Sequence, residues 1–130
     1  MSRGLGDVYK RQVVHLAALQ VPFCRADPVL GARVNVVGTV NVLEAVKARR
    51  ERIPGVAYAS SAAVYGPHDP SPAPESGGIA PATIYGVYKL ANEGTARLYA
   101  AEGGVPSLGI RPYVVYGPGR DQGMTSGPGP

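Results

Sequence analysis

Val56-Ala57-Tyr58-Ala59-Ser60-Ser61 is a short apolar run ending in two hydroxyls, and Pro54-Gly55 breaks the chain just before it. A run of this kind, bounded by turn residues, predicts a buried strand that delivers Ser60 and Ser61 at its carboxyl end. Upstream, Val13 to Ala17 is a second apolar run and predicts another buried strand, followed by a loop. Between the two, Asp27-Pro28 supplies a helix N-cap with proline at the first helical position. Leu30, Val34, Val37, Val40, Val42, Leu43 and Val46 then recur near helical spacing to about Arg50. Downstream of the serines, Gly66 to Pro81 is rich in Pro, Ser and Gly, and its length points to a functional loop over a substrate. A helix from about Thr83 to Glu102 follows, ended by Gly103-Gly104, and Val105 to Ile110 predicts a third strand.

Strand, helix, strand, helix, strand is the order of two right-handed crossovers on a parallel sheet, which places the chain in the α/β class. Ligands of such sheets bind beyond the carboxyl ends of the strands. Ala17-Ala18, Ser60-Ser61 and Pro112-Tyr113 all fall at those ends.

The second helix carries Tyr85-Gly86-Val87-Tyr88-Lys89. Positions i and i+4 share a helix face, so Tyr85 and Lys89 are neighbours. An ammonium beside a phenol favours the phenolate and lowers its pKa from about 10. A tyrosine tuned in this way passes protons to and from an alcohol or carbonyl near neutral pH. A serine hydroxyl nearby donates to, or accepts from, the same oxygen. Tyr85 and Lys89, with the hydroxyl of Ser61 or Ser60, are therefore the candidate catalytic residues. Tyr88 is expected to pack, and His15 and His68 have no partner pattern that would make either a metal ligand or a base.

Composition narrows the function classes. The chain has 130 residues, enough for one domain with a modest core. The net charge of +4 is mild, and Lys47, Arg49, Arg50 and Arg52 cluster where a helix ends, which suits the helix dipole. No basic stripe interleaves with aromatics, so a nucleic-acid partner is not expected. Cys24 is the only cysteine, which excludes a disulfide framework within one chain and suits a cytoplasmic location. No apolar run approaches the roughly 20 residues of a membrane span, so no membrane is expected either.

Several motifs occur together in order: His15-Leu16-Ala17-Ala18, the stretch Asn35-Val36-Val37-Gly38-Thr39-Val40-Asn41-Val42-Leu43-Glu44-Ala45, Ser60-Ser61-Ala62-Ala63-Val64-Tyr65-Gly66, the Tyr85/Lys89 pair, and Arg111-Pro112-Tyr113-Val114-Val115-Tyr116-Gly117-Pro118. Over about residues 13–126 the chain resembles the extended short-chain dehydrogenases/reductases, in the NAD-dependent epimerase/dehydratase branch that includes the sugar-nucleotide 4-epimerases. The resemblance implies part of a Rossmann-like doubly wound parallel sheet, its central to C-terminal half, with the first strands missing. Residues 1–12 carry no part of it and are expected to be a non-native leader; residues 127–130 are expected to be a truncated tail.

The resemblance also implies roles, beginning with Ser61, five residues before the glycine of Val64-Tyr65-Gly66, as the catalytic hydroxyl and Ser60 as the fallback. Leu16, Ala17 and Ala18 would lie against an NAD cofactor, with NADP as the alternative. Asn35 would brace the site near the strand that carries Ser61. Lys89 would reach the nicotinamide ribose as well as tune Tyr85, and Ser60, Pro112 and Tyr113 would sit beside the cofactor. Arg120 would meet an anionic substrate group or lie at the surface. A homodimer is implied through helix pairing.

Departures from the family refine the expectation. Ala62 and Ala63 stand where dehydratases carry an acidic pair, and alanine cannot shuttle a proton. Val114 stands where many sugar-nucleotide epimerases have asparagine, and valine cannot donate a hydrogen bond. Gly4-Leu5-Gly6 lacks the remaining glycine and preceding strand of a pyrophosphate-binding turn. The expectation is a fragment of an epimerase acting on a sugar or sugar-nucleotide through a transient ketone. The alternatives are a dehydrogenase of a small alcohol or polyol, and a non-catalytic dinucleotide sensor.

Overall fold

A computed structural model describes residues 12–75 and 79–118. The expected leader up to residue 11, the tail and Arg120 lie outside them. Three parallel strands form one sheet in the order β1 (Val13–His15), β2 (Val56–Ala59), β3 (Ser107–Ile110). The register pairs Val14 with Ala57 and Tyr58 with Gly109. β2 is central, as its even apolar content requires.

The helices lie on one face. α1 (Val21–Ala26) is a six-residue helix with proline in its first turn, in a stretch whose sequence reads as loop. α2 (Pro28–Ala32) starts as expected, the Asp27 side chain accepting from Leu30 N at 2.9 Å. It runs through a π-helical turn (Arg33–Val37) into α3 (Gly38–Lys47). At that turn the Asn35 carbonyl accepts Thr39 Oγ1 at 2.7 Å and Asn92 Nδ2 at 2.9 Å. α4 (Ile84–Gly103) is capped by Thr83, which accepts from Gly86 N at 3.1 Å, and stops at Gly104, whose φ of 62° is left-handed.

The core sits between this helical layer and the sheet: Leu43, Val46, Val56, Tyr58, Ala96 and Val105 are buried together. One residue in two on β2 faces it, namely Val56 and Tyr58, with buried Ser60 next in the series. The helix spanning residues 28–47 is 20 residues long with mean hydropathy 1.3, so a stretch of membrane-spanning length does exist, contrary to the sequence expectation. Its Asn35, Thr39, Leu43 and Val46 are buried, with Leu43 and Val46 in the core cluster.

The opposite face of the sheet corrects a second expectation. β1 is not the buried strand expected: Val14 is 63% exposed and Leu16 also open, and on the same face of β3 Leu108 is 63% exposed and Ile110 open. Apolar residues on alternate positions facing solvent mark the face where a two-sided α/β sheet carries its other helical layer.

Candidate active site

Each strand passes its chain to the carboxyl edge of the sheet. There Ser60 N donates to Ile110 O at 2.8 Å and Ala62 N to Pro112 O at 3.0 Å, so the β2 and β3 extensions stay paired on either side of Ser61. The Ser61 side chain caps a short 3₁₀ turn (Ala62–Val64) by accepting from Ala63 N at 3.1 Å. Its hydroxyl hydrogen remains free to donate. Against this turn lies the start of α4, and Gly86 makes the approach possible, because a Cβ there would collide with the Ala63 carbonyl oxygen and come within 2.9 Å of Pro81 Cβ.

A cleft of about 420 Å³ opens at this edge. Leu16, Ala18, Ser60, Ser61, Tyr85, Lys89, Pro112 and Tyr113 all line it, together with Ala59, Ala62 and Ala63. Eight sequence-predicted residues thus converge on one cavity. Ala17 and Asn35 do not line it. Asn35 is buried and braces the chain after β1 rather than the Ser61 strand: its Oδ1 accepts from Leu19 N at 2.7 Å and its Nδ2 donates to Leu19 O at 2.9 Å. Cys24, fully buried, accepts from the same amide at 3.2 Å. Tyr88 packs as expected, its hydroxyl donating to Pro28 O at 2.8 Å.

The two serines separate clearly. Ser60 is buried, and its hydroxyl donates to Glu93 Oε1 at 2.5 Å, so its proton is committed away from any substrate. Ser61 is half-buried and adjoins Tyr85.

Electrostatics differ from the sequence expectation for Tyr85. Burial pushes its phenol up from the ordinary value, the Ser61 side chain pulls it down, and the net direction is upward. Lys89 does not offset this, because its ammonium is turned to the main chain. Nζ donates to Ala59 O at 2.7 Å and stands 5.6 Å from the centroid of the Tyr85 ring. Burial also pushes Lys89 down from its usual range. As it stands the site therefore holds a protonated phenol, ready to donate.

Among the described residues, none of the loop after Gly66 lines this cleft. Ser71, Pro72, Ala73 and Glu75 instead line a second cavity of about 830 Å³ with Tyr58, Tyr65, Glu93 and Arg111. Arg111 reaches Glu93 through Nε at 2.8 Å and Nη2 at 2.7 Å, a bidentate pair, and donates from Nη1 to Tyr65 Oη at 2.8 Å. Sequence reading missed Glu93. Its signal is the continued spacing of four, since Tyr85, Lys89 and Glu93 follow one face of α4.

Burial works to raise Glu93, but hydrogen bonds from Arg111 and Ser60 outweigh it and hold the carboxyl below 4.5. A depressed carboxylate stabilises the fold above its unfolded pKa and loses that contribution as pH falls through the folded value. Thermal melts from pH 7 to pH 3 are expected to show an acid arm below about pH 4.5 that Glu93→Gln flattens. An unchanged arm in that variant would assign acid sensitivity elsewhere.

A parallel sheet with a hydroxyl, a phenol and an ammonium gathered at its carboxyl edge is the architecture of a Rossmann-like α/β protein. The chain belongs to the NAD dependent epimerase/dehydratase family, whose pattern it matches over residues 5–128. It is 36% identical over 108 residues to UDP-glucuronate 4-epimerase 5 of Arabidopsis thaliana, covering 82% of this chain and 24% of that protein. The structure of UDP-glucose 4-epimerase from Brucella ovis in complex with NAD superposes with a TM-score of 0.71 at 33% identity, covering 77% of this chain and 30% of the other. L-threonine dehydrogenase from Phytophthora infestans gives 0.68 at 31% identity, covering 77% and 32%. The chain thus spans about a third or less of the length of these relatives.

The described residues fit one end of a nicotinamide cofactor. The cleft joins small side chains at Ala18, Ala59, Ala62 and Ala63 to the polar atoms of Ser61, Tyr85 and Lys89. A stacked ring and a ribose need that combination of flat apolar wall and few polar groups.

Proposed function

We propose that this chain supplies the proton-transfer site of an NAD-dependent epimerase acting on a sugar or sugar-nucleotide through a transient ketone. The observation that carries this reading is the convergence of Ser61, Tyr85 and Lys89 on one cleft with Pro112 and Tyr113. When bound, a nicotinamide would supply the hydride acceptor; NAD is proposed over NADP on the family's description. In its phenolate form, reached once the phenol has released its own proton to solvent, Tyr85 takes the proton of the substrate hydroxyl, and it returns that proton to the ketone oxygen. Ser61 donates to that oxygen, which disperses its developing charge. Lys89, anchored on the Ala59 carbonyl with its ammonium 5.6 Å from the Tyr85 ring centroid, would hold the ribose of a bound nicotinamide.

The names of the relatives support a nucleotide-linked sugar as substrate. A dehydrogenase reading has its own support in the threonine dehydrogenase likeness and in Val114, which lacks the amide expected beside a diphosphate. A homodimer is proposed with the epimerase, since α4 leaves Val87 and Leu98 open on its outer side. A cytoplasmic location is proposed on the lone thiol.

The test uses the complete reading frame with NAD. Conversion of UDP-glucuronate to its 4-epimer, followed by NMR, supports the epimerase. Net NADH formation with L-threonine and none of that conversion replaces it with the dehydrogenase. For the 130-residue chain itself, isothermal titration is expected to show no micromolar binding of NAD, because the chain lacks a glycine-rich pyrophosphate turn. Micromolar binding would overturn that expectation.

A further inference from the structure

Two consecutive turns of α4 are bonded to two consecutive residues at the end of β2. Lys89 Nζ donates to the Ala59 carbonyl at 2.7 Å, and one turn on, Glu93 Oε1 accepts the Ser60 hydroxyl at 2.5 Å. Ser61 is the next residue. On its other side, Ala62 N is held by Pro112 O at 3.0 Å. Arg111, lying between Ile110 and Pro112, whose carbonyls accept from Ser60 N and Ala62 N, closes the frame by gripping both oxygens of Glu93. The same guanidinium ties in Tyr65 at 2.8 Å and the Glu75 carbonyl at 3.1 Å. The Arg111 and Glu93 side chains are only 20% and 17% exposed, so the pair is largely shielded from solvent. Neither touches the smaller cleft, since neither is among its lining residues.

We propose that Glu93, held by Arg111, is a positioning residue for the proton-transfer site: it fixes Ser60, and through Ser60 sets where Ser61 stands against Tyr85. The proposal rests on the reading of Ser61 and Tyr85 given above and assigns that site a support on the far side of β2. Two charged-assisted bonds and a buried serine bond converge on one carboxylate, a geometry with more constraint than a surface ion pair supplies. A bond from Ser60 to an ionised acceptor also removes that hydroxyl as a competitor for substrate, which leaves Ser61 alone at the cleft.

The test reads the contact between Ser61 and Tyr85 and needs no substrate. The chain is labelled with 3-fluorotyrosine, whose ring fluorine lowers the pH of phenol ionisation, and the Tyr85 signal is identified by its loss in Tyr85→Phe. Its ionisation is followed by fluorine NMR. Ser61→Ala is expected to move the Tyr85 titration upward by about half a pH unit or more, as one hydrogen bond to the phenolate is lost. Ser60→Ala, which changes no charge, is expected to move it upward by a similar amount and to add little in the Ser61→Ala background. Glu93→Gln is a second variant of opposite electrostatic bias, since loss of the carboxylate charge alone would move Tyr85 downward. A rise in this variant therefore reports the lost hold on Ser61.

The proposal is overturned if Ser61→Ala raises the titration while Ser60→Ala leaves it in place, or if the two shifts simply add. A different result, no shift in Ser61→Ala itself, would instead sink the reading of Ser61 and Tyr85 as one site.

Discussion

Tyr85→Phe in the complete protein is expected to lower kcat about a thousandfold with KM little changed. The substitution removes one oxygen from a half-buried ring and leaves its packing, so the fold is expected to survive. What disappears is the proton carrier, and neither Ser61 nor Lys89 replaces it. Ser61 donates, but an alkyl hydroxyl gives up its proton far less readily than a phenol does. Lys89 is turned to the Ala59 carbonyl. The comparison also separates the catalytic reading from a dinucleotide sensor, for which removal of one hydroxyl predicts almost no change in ligand response. Steady-state rates and circular dichroism on the same preparation decide the matter. Turnover within a few-fold of the parent would remove Tyr85 from the mechanism.

Gly86→Ala is expected to be the most damaging single methyl in the described residues. The added Cβ meets the Ala63 carbonyl oxygen on one side and Pro81 Cβ at 2.9 Å on another. Both are backbone or ring-fixed, so relief requires α4 to withdraw from the 3₁₀ turn. Overpacking of this kind costs about 1–3 kcal/mol. For a domain of this size that is a fall in Tm of the order of 10 °C. Withdrawal also separates Tyr85 from Ser61, so activity is expected to fall further than stability alone explains. Differential scanning calorimetry is the check, with Gly94→Ala as the control. Beyond its chain neighbours and its own helix backbone, the Gly94 position has no atom within 4 Å of the added carbon, and alanine there is expected to gain about 0.5–1 kcal/mol. Equal Tm values for Gly86→Ala and the parent would show that the helix start does not press on the turn.

Much of this arrangement was legible in the residues. Pro54-Gly55 and Gly103-Gly104 punctuate the chain where β2 begins and α4 ends, and Asp27-Pro28 marks a helix start by its capping chemistry. Spacing of four on α4 placed Tyr85 and Lys89 together. Spacing says nothing, however, of where a flexible ammonium settles. The Ala59 carbonyl, brought close by the parallel crossover, captures Lys89 and leaves burial to decide the Tyr85 phenol. α1 escaped because six residues, with Pro22 in the first turn, are too few to show a period. The Glu93–Arg111 pair depends on the register of β3 against β2, which no local pattern reports. The exposure of Val14 and Leu108 was likewise hidden, since an apolar residue signals a covering layer whether or not the chain in hand contains it.

A crystal structure of the complete protein with NAD tests the central claim most directly, because the carboxyl edge of the sheet offers two cavities. The account predicts the nicotinamide ring in the cleft lined by Ala62, Pro112 and Val114, with the Tyr85 and Ser61 hydroxyls converging on the space beside its reactive carbon. A nicotinamide seated instead between Arg111, Tyr65 and Tyr58, with Tyr85 out of reach, would contradict it.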